Sequence, residues 1–156
     1  MASYFGEIMQ ERFNTFTVLI AKINRAIRKI KTEEMAEFKL KSTHVSCLYY
    51  LYINETLTSK ELCDICVEDK ASISRSIEYL ENNGYLKPSD KEHKRYKRPL
   101  ELTEKGREIG SRLCERIESI LAQSSDGVTN EARESMYRSL EVISENLQKI
   151  CDKYEN

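Results

Sequence analysis

Between Tyr4 and Lys31 the apolar side chains fall at Phe5, Ile8, Met9, Phe13, Phe16, Leu19, Ile20, Ile23, Ile27 and Ile30. Steps of three and four are the period of a helix with one apolar face, so the pattern predicts one long first helix. A second helix starts at Ser42 or Thr43, either of which can cap it, and runs through His44, Leu48 and Leu51 to about Asn54. A third opens on Thr58-Ser-Lys-Glu61, where a Thr hydroxyl and a Glu carboxylate each satisfy backbone amides at the helix start, and it ends near Cys66. The stretch DKASISRSIEYLENNG, residues 69–84, is a fourth helix with Ile73, Ile77 and Leu80 on one face and Gly84 as its stop. The period then changes. Tyr85 to Pro88 and Arg98 to Leu102 are extended and predict a small hairpin, with Pro99 on an edge strand because it has no amide to donate. Thr103 caps a fifth helix carrying Ile109, Leu113, Ile117 and Leu121 to about Gln123, and SSDG breaks it. A sixth, after Thr129, aligns Met136, Leu140, Ile143, Leu147 and Ile150.

The fold class is therefore mainly α with a small β-hairpin: a winged helix-turn-helix plus long N- and C-terminal dimerisation helices. We divide a single domain, 1–156, into dimerisation helices at 1–36 and 124–156, a winged helix-turn-helix core at 40–103 and a connecting helix at 103–123. The middle closes around Leu48, Leu51, Leu62, Ile73, Ile77, Leu80, Leu86 and Leu102. Helices 1, 5 and 6 carry apolar stripes that need cover, and a second copy related by two-fold symmetry supplies it, which predicts a homodimer. The alternative is a monomeric bundle that covers its own stripes.

Composition adds boundaries. With 33% charged residues, five Gly and two Pro among 156, the chain suits one helix-rich globular domain. Its longest apolar runs, such as Cys47 to Ile53, are too short to span a bilayer and its polar start lacks a signal-peptide core, so the expected location is cytoplasmic with no membrane partner. Cys47, Cys63, Cys66, Cys114 and Cys151 are expected as free thiols. The net charge of −1 is unevenly spread: residues 87–98, KPSDKEHKRYKR, hold six basic and two acidic side chains in a chain otherwise balanced or acidic.

Two short helices joined by a tight turn, the second polar at its start, are a helix-turn-helix whose second helix enters the DNA major groove. Lys70 and Arg75 suit guanine edges or phosphates, Ser72 and Ser74 bond to either, and the helix start presents free backbone amides to a phosphate. Thr58 and Ser59, at the start of the helix before it, are further candidates for DNA contact. A basic loop projecting from the hairpin reaches the neighbouring minor groove or its phosphates: Lys94 and Arg95 at the tip, Lys91, Lys97 and Arg98 on phosphates, Tyr96 along the sugar backbone. The bland counterparts are an ordinary surface helix and a solvated loop. No Gly-rich phosphate loop, nucleophile elbow or specific metal cluster is present, so no enzyme and no cofactor is expected. A winged helix that binds an acidic protein partner is a second class; double-stranded DNA requires sequence preference and salt dependence together.

Four blocks in order, LKSTHVSCLYYL (40–51), LTSKELCDIC (57–66), DKASISRSIEYLENNGYLKP (69–88) and PLELTEKGREI (99–109), resemble MarR-type winged-helix transcriptional regulators along nearly the whole chain. The resemblance implies a dimer that binds a near-palindromic operator, represses transcription and is released by a small ligand or by oxidation. It also implies an effector pocket between the helical dimer region and the winged domain, with Phe13, Phe16, Thr17, His44 and Cys47 as possible walls; simple core packing is the alternative for each. The family's Asp-x-Arg at the wing tip aligns here with Lys94, Arg95 and Tyr96, unless a longer loop brings in Asp90. Thiol-based members carry the reactive cysteine on the first helix, and residues 1–41 contain none, which argues against that peroxide-sensing mode. Cys63 and Cys66 share a helix face, and the block also resembles the cysteine-containing helix of ArsR-type metal sensors. That family spaces its pair Cys-x-Cys, however, and two thiolates leave a tetrahedral site short of ligands. Packing is the favoured reading of this pair, with a metal or redox role for Cys63 and Cys66 as the alternative. His44 and His93 are too few and too far apart to define a metal site, and His44 is expected as a hydrogen-bonded residue at the start of helix 2.

Overall fold

The computed structural model describes residues 2–88 and 99–154, with side chains from Thr15 onward. Six α-helices run in chain order: α1 Ala2–Glu34, α2 Ser42–Asn54, α3 Ser59–Cys66, α4 Lys70–Asn82, α5 Glu104–Ser124 and α6 Asn130–Cys151. Two-residue strands β1 (Thr56–Leu57) and β2 (Leu100–Glu101) pair antiparallel, with Thr56 opposite Glu101 and Leu57 opposite Leu100. The chain forms two compact units, residues 1–116 and 117–156.

Local chemistry sets most boundaries. Thr58 accepts the Glu61 amide at 3.3 Å while the Glu61 carboxylate accepts the Thr58 amide at 2.7 Å, so the expected capping box starts α3. Bonds donated by the Thr58 amide and by its hydroxyl hold the Glu61 carboxyl below its ordinary pKa. Thr103 accepts from the Gly106 amide at 3.0 Å and Thr129 from Ala132 at 3.2 Å, capping α5 and α6. Gly84 takes φ +73° just beyond α4, as a left-handed stop requires. At α2 the expectation needs correction. Neither Ser42 nor Thr43 is the cap; Lys41 holds that position, and His44 reaches back to accept the Lys41 amide on Nδ1 at 3.2 Å. A lysine side chain has no acceptor to offer the amides of the first turn; what the ring three residues on satisfies is the Lys41 amide itself.

All eight residues expected in the middle core, Leu48, Leu51, Leu62, Ile73, Ile77, Leu80, Leu86 and Leu102, are buried, joined by Met35, Leu40, Val45, Cys47 and the first turns of α5. The backbone of α5 comes very close to the end of α4: a Cβ at Gly106 would overlap the Tyr85 carbonyl oxygen. Arg116, further along α5, binds the Glu34 carbonyl and the Glu37 carboxylate, tying the end of α1 to this unit.

The hairpin is only partly as expected. Leu86 bridges Leu102 and the Lys87 amide donates to the Glu101 carbonyl at 2.9 Å, so the two ends of the basic segment are held side by side. The pairing continues, however, into β1, a strand the apolar pattern did not predict. Residues 89–98, including most of the basic segment, lie outside the described residues.

Candidate nucleic-acid interface

The helix-turn-helix is built from α3 and α4. At their junction Val67 adopts φ +53° and donates its amide to the Cys63 carbonyl, ending α3; Glu68 and Asp69 complete a three-residue turn to α4. The inner face of α4, Ile73, Ser76, Ile77 and Leu80, is buried, which turns Lys70, Ala71, Ser74, Arg75 and Glu78 outward. Ser72 is half-covered. Tyr79 fixes the helix from the side: its hydroxyl donates to the Lys39 carbonyl at 2.9 Å and its ring stacks on His44, centroids 4.2 Å apart. Burial, aided by the Lys41 charge, pushes the His44 pKa down. At the other end of α4, the Lys105 ammonium donates to the Asn83 carbonyl at 2.8 Å, a cation where the helix dipole favours one.

A cleft of about 180 Å³ runs between the two helices, lined by Ser59, Cys63, Lys70, Ile73, Ser74, Ile77 and Leu100. It brings together three of the residues singled out in the sequence, Ser59, Lys70 and Ser74, with Arg75 exposed beside them. Thr58 differs: its hydroxyl also donates to Glu61 at 2.8 Å and is committed to the cap. The amides at the start of α4 are likewise not all open to a phosphate. Asp69 accepts the Ser72 amide at 2.8 Å, and its carboxylate opposes a second anion there. The wing residues Lys91, Lys94, Arg95 and Lys97, with Arg98 and Tyr96, lie outside the described residues.

The proposed pocket walls are spread over α1 and α2. Cys47 is fully buried and His44 nearly so. Lys31 of α1 meets α2 at Ser46, Nζ to Oγ 3.0 Å. Thr17 is fourteen residues earlier on the same helix, about 21 Å along its axis. Phe16 beside it is exposed, and the side chain of Phe13 lies outside the described residues.

The cysteines group in a way their sequence spacing did not reveal. Cys66, at the end of α3, is influenced by Cys47 of α2 and by the Lys31 charge, both of which favour its thiolate. Cys47 and Lys31 pull the Cys66 thiol down against its burial, whereas Cys66 and burial push the Cys47 thiol up. Cys63 is raised, chiefly by desolvation and the Asp64 charge. Among the described residues no three of His, Cys, Asp and Glu converge as metal ligands, and no helix is long and apolar enough to cross a membrane.

Comparison with known proteins matches this architecture. The MarR family model matches residues 38–95. The HTH-type transcriptional regulator YwoH of Bacillus subtilis is 32% identical over 114 residues, covering 69% of this chain and 83% of the relative. YybA, another HTH-type transcriptional regulator of that organism, is 26% identical over 131 residues, 83% and 87% of the two chains. Among solved structures, a MarR family regulator from Listeria monocytogenes in complex with a 26mer DNA superposes with TM-score 0.72 at 28% identity, over 82% of this chain and 85% of that one. The chain belongs to the MarR family.

Proposed function

We propose that the chain is a homodimeric, sequence-specific reader of double-stranded DNA that represses transcription at a near-palindromic operator. The observation that carries the reading is the outward face of α4, where Lys70, Ser74 and Arg75 are exposed beside Ser59 on a helix anchored by its buried opposite face. Such a helix offers hydrogen-bond donors to base edges while the rest of the domain stays rigid. The DNA complex of the Listeria relative supports the same partner here. Lys91, Lys94, Arg95 and Lys97 are proposed as the contacts of the wing to the minor groove and phosphates.

Two apolar stripes support the dimer. On α1, Leu19, Ile20, Ile23, Ile27 and Ile30 are exposed, and on α6, Met136, Ile143, Leu147 and Ile150. Contiguous apolar faces of this kind mark an interaction surface, and a second copy satisfies them with closed two-fold symmetry. In this proposal residues 1–36 and 124–156 are the dimerisation helices. A small-ligand effector that draws on Phe16 and Thr17 binds a pocket completed by the dimer, because one copy alone leaves those residues far from His44 and Cys47.

Selection of random duplex DNA by the purified, reduced full-length chain tests the reading. An enriched inverted repeat, bound more weakly as salt rises, is the expected outcome. A folded protein that enriches no sequence, or binds every duplex alike, sinks it.

A further inference from the structure

Four residues of α4 stand in line on the side of the helix away from the core. Ile73, Ser76, Ile77 and Leu80 are buried. At 3.6 residues per turn, Ala71, Arg75, Glu78 and Asn82 fall within about 60° of one another on the opposite side, and all four are exposed. Lys70 and Ser74 stand off this line, toward the cleft against α3. A helix lying in a major groove can read bases through residues at i, i+3, i+4 and i+7, which here are Ala71, Ser74, Arg75 and Glu78. Two of these, a bare methyl group and a carboxylate, did not stand out in the sequence, because neither is a donor for a phosphate.

We propose that Ala71 and Glu78 are specificity-determining residues, Ala71 reading the C5-methyl group of a thymine and Glu78 the amino group of a cytosine, on either side of the Arg75 contact. The assignment rests on the DNA-reading function proposed above and gives the half-site its chemistry. A carboxylate only accepts hydrogen bonds. In the major groove guanine and thymine present acceptors, and adenine sets its N7 acceptor beside its amine; cytosine offers an amine with no acceptor of its own. Glu78 is therefore matched to cytosine. Among the described residues neither Arg75 nor Glu78 forms an ion pair, so the carboxylate is not tied to the guanidinium three residues before it.

Ala71 is the second residue of α4, in the first turn, the part of such a helix that contacts base edges. Its side chain ends at Cβ, so the helix can approach the groove floor closely there, and the thymine methyl is the apolar group that the floor presents. Ala71 and Glu78 are seven residues apart, about 10 Å along the axis, which places the thymine and the cytosine within a few neighbouring base pairs. The carboxylate also acts against loose binding. Phosphates line every duplex and repel it, and a correctly placed amine offsets that repulsion. Glu78 thus lowers affinity for random DNA while favouring the operator.

Selection of random duplexes is run in parallel on the full-length wild type, Glu78→Gln and Ala71→Gly, and the winning repeat is measured again with single positions changed. Wild type is expected to select a cytosine and a thymine in each half-site. Uracil in place of each thymine in turn removes only the methyl group; it should weaken wild type about fourfold at one position per half-site and leave Ala71→Gly unaffected. The uracil scan of wild type needs no variant, so it stands even if Ala71→Gly is less stable. In Glu78→Gln the cytosine preference is expected to fall by about 5- to 150-fold and to pass to adenine, whose N6 and N7 suit an amide. Random duplex should bind that variant more tightly, with an unchanged thermal midpoint. A cytosine preference kept in Glu78→Gln, with random duplex bound as by wild type, would overturn the role of Glu78. Uracil tolerated by wild type at every position would overturn that of Ala71. A folded wild type that selects no sequence at all would instead overturn the functional reading on which both roles rest.

Discussion

Arg75 and His44 show how single side chains divide between reading and support. Arg75 is exposed on α4, with buried Ser76 and Ile77 directly after it in the chain. Its removal costs the domain little packing, but under the proposed function it costs a base contact. Arg75→Ala is expected to weaken binding to the selected repeat by about 1–3 kcal/mol with an unchanged thermal midpoint; equal affinity in a binding titration would exclude Arg75 from readout. His44 behaves oppositely. Its Nδ1 accepts the Lys41 amide, which requires a neutral ring, and burial holds its pKa below the ordinary 6.5. Above pH 6.5 the ring is neutral both folded and unfolded, and its contribution is fully present. As pH falls below 6.5 the unfolded chain takes up a proton that the folded ring resists, so stability is lost through the folded pKa. Urea unfolding at pH 7.5 and 5.5 should show this loss in wild type and a smaller one in His44→Gln, whose side chain does not titrate. Equal losses would remove His44 from the linkage.

At the scale of elements, the α3–α4 turn is held by an unfavourable residue. Val67 is β-branched, has φ +53° and is 88% exposed. A left-handed conformation costs such a residue roughly 1–2 kcal/mol, and here no burial offsets it. Val67→Asn is therefore expected to stabilise the chain by about 1 kcal/mol, read as a higher midpoint in denaturant; a lower midpoint would mean that the valine makes contacts which outweigh the strain. Elements of this kind differ in how far the sequence reveals them. The helix starts at Thr58, Thr103 and Thr129 and the stop at Gly84 were legible because each is a short motif with its own chemistry. The strand at Thr56–Leu57 was not, since two residues have no period and its partner Leu100 is distant in the chain. The cap at Lys41 was hidden because a ring three residues later does the work. The cysteines were legible only in part: Cys63 and Cys66 share a helix face, but the thiol that lowers the Cys66 pKa is Cys47, on another helix.

At the scale of the whole molecule, the unpaired quantity is apolar surface. Ile23 is 54% exposed on α1 and Leu147 is 49% exposed on α6. The dimer proposal predicts light scattering of twice the 18.2 kDa chain mass and a shift toward that single mass in Ile23→Glu, because a buried carboxylate without a partner is strongly disfavoured. A wild type at the single mass, with full helical content, would contradict it. In the proposed dimer two copies of α4 related by a two-fold axis would meet successive major grooves on one side of the duplex.

The most direct test of that central claim is affinity for the selected inverted repeat compared with the same repeat carrying an insertion of about 5 base pairs, half a helical turn, between its halves. The insertion leaves every base of both half-sites intact but turns them to opposite faces of the duplex. The account predicts that binding falls to that of a single half-site. Equal affinity for both duplexes would contradict a two-fold dimer reading DNA through paired α4 helices.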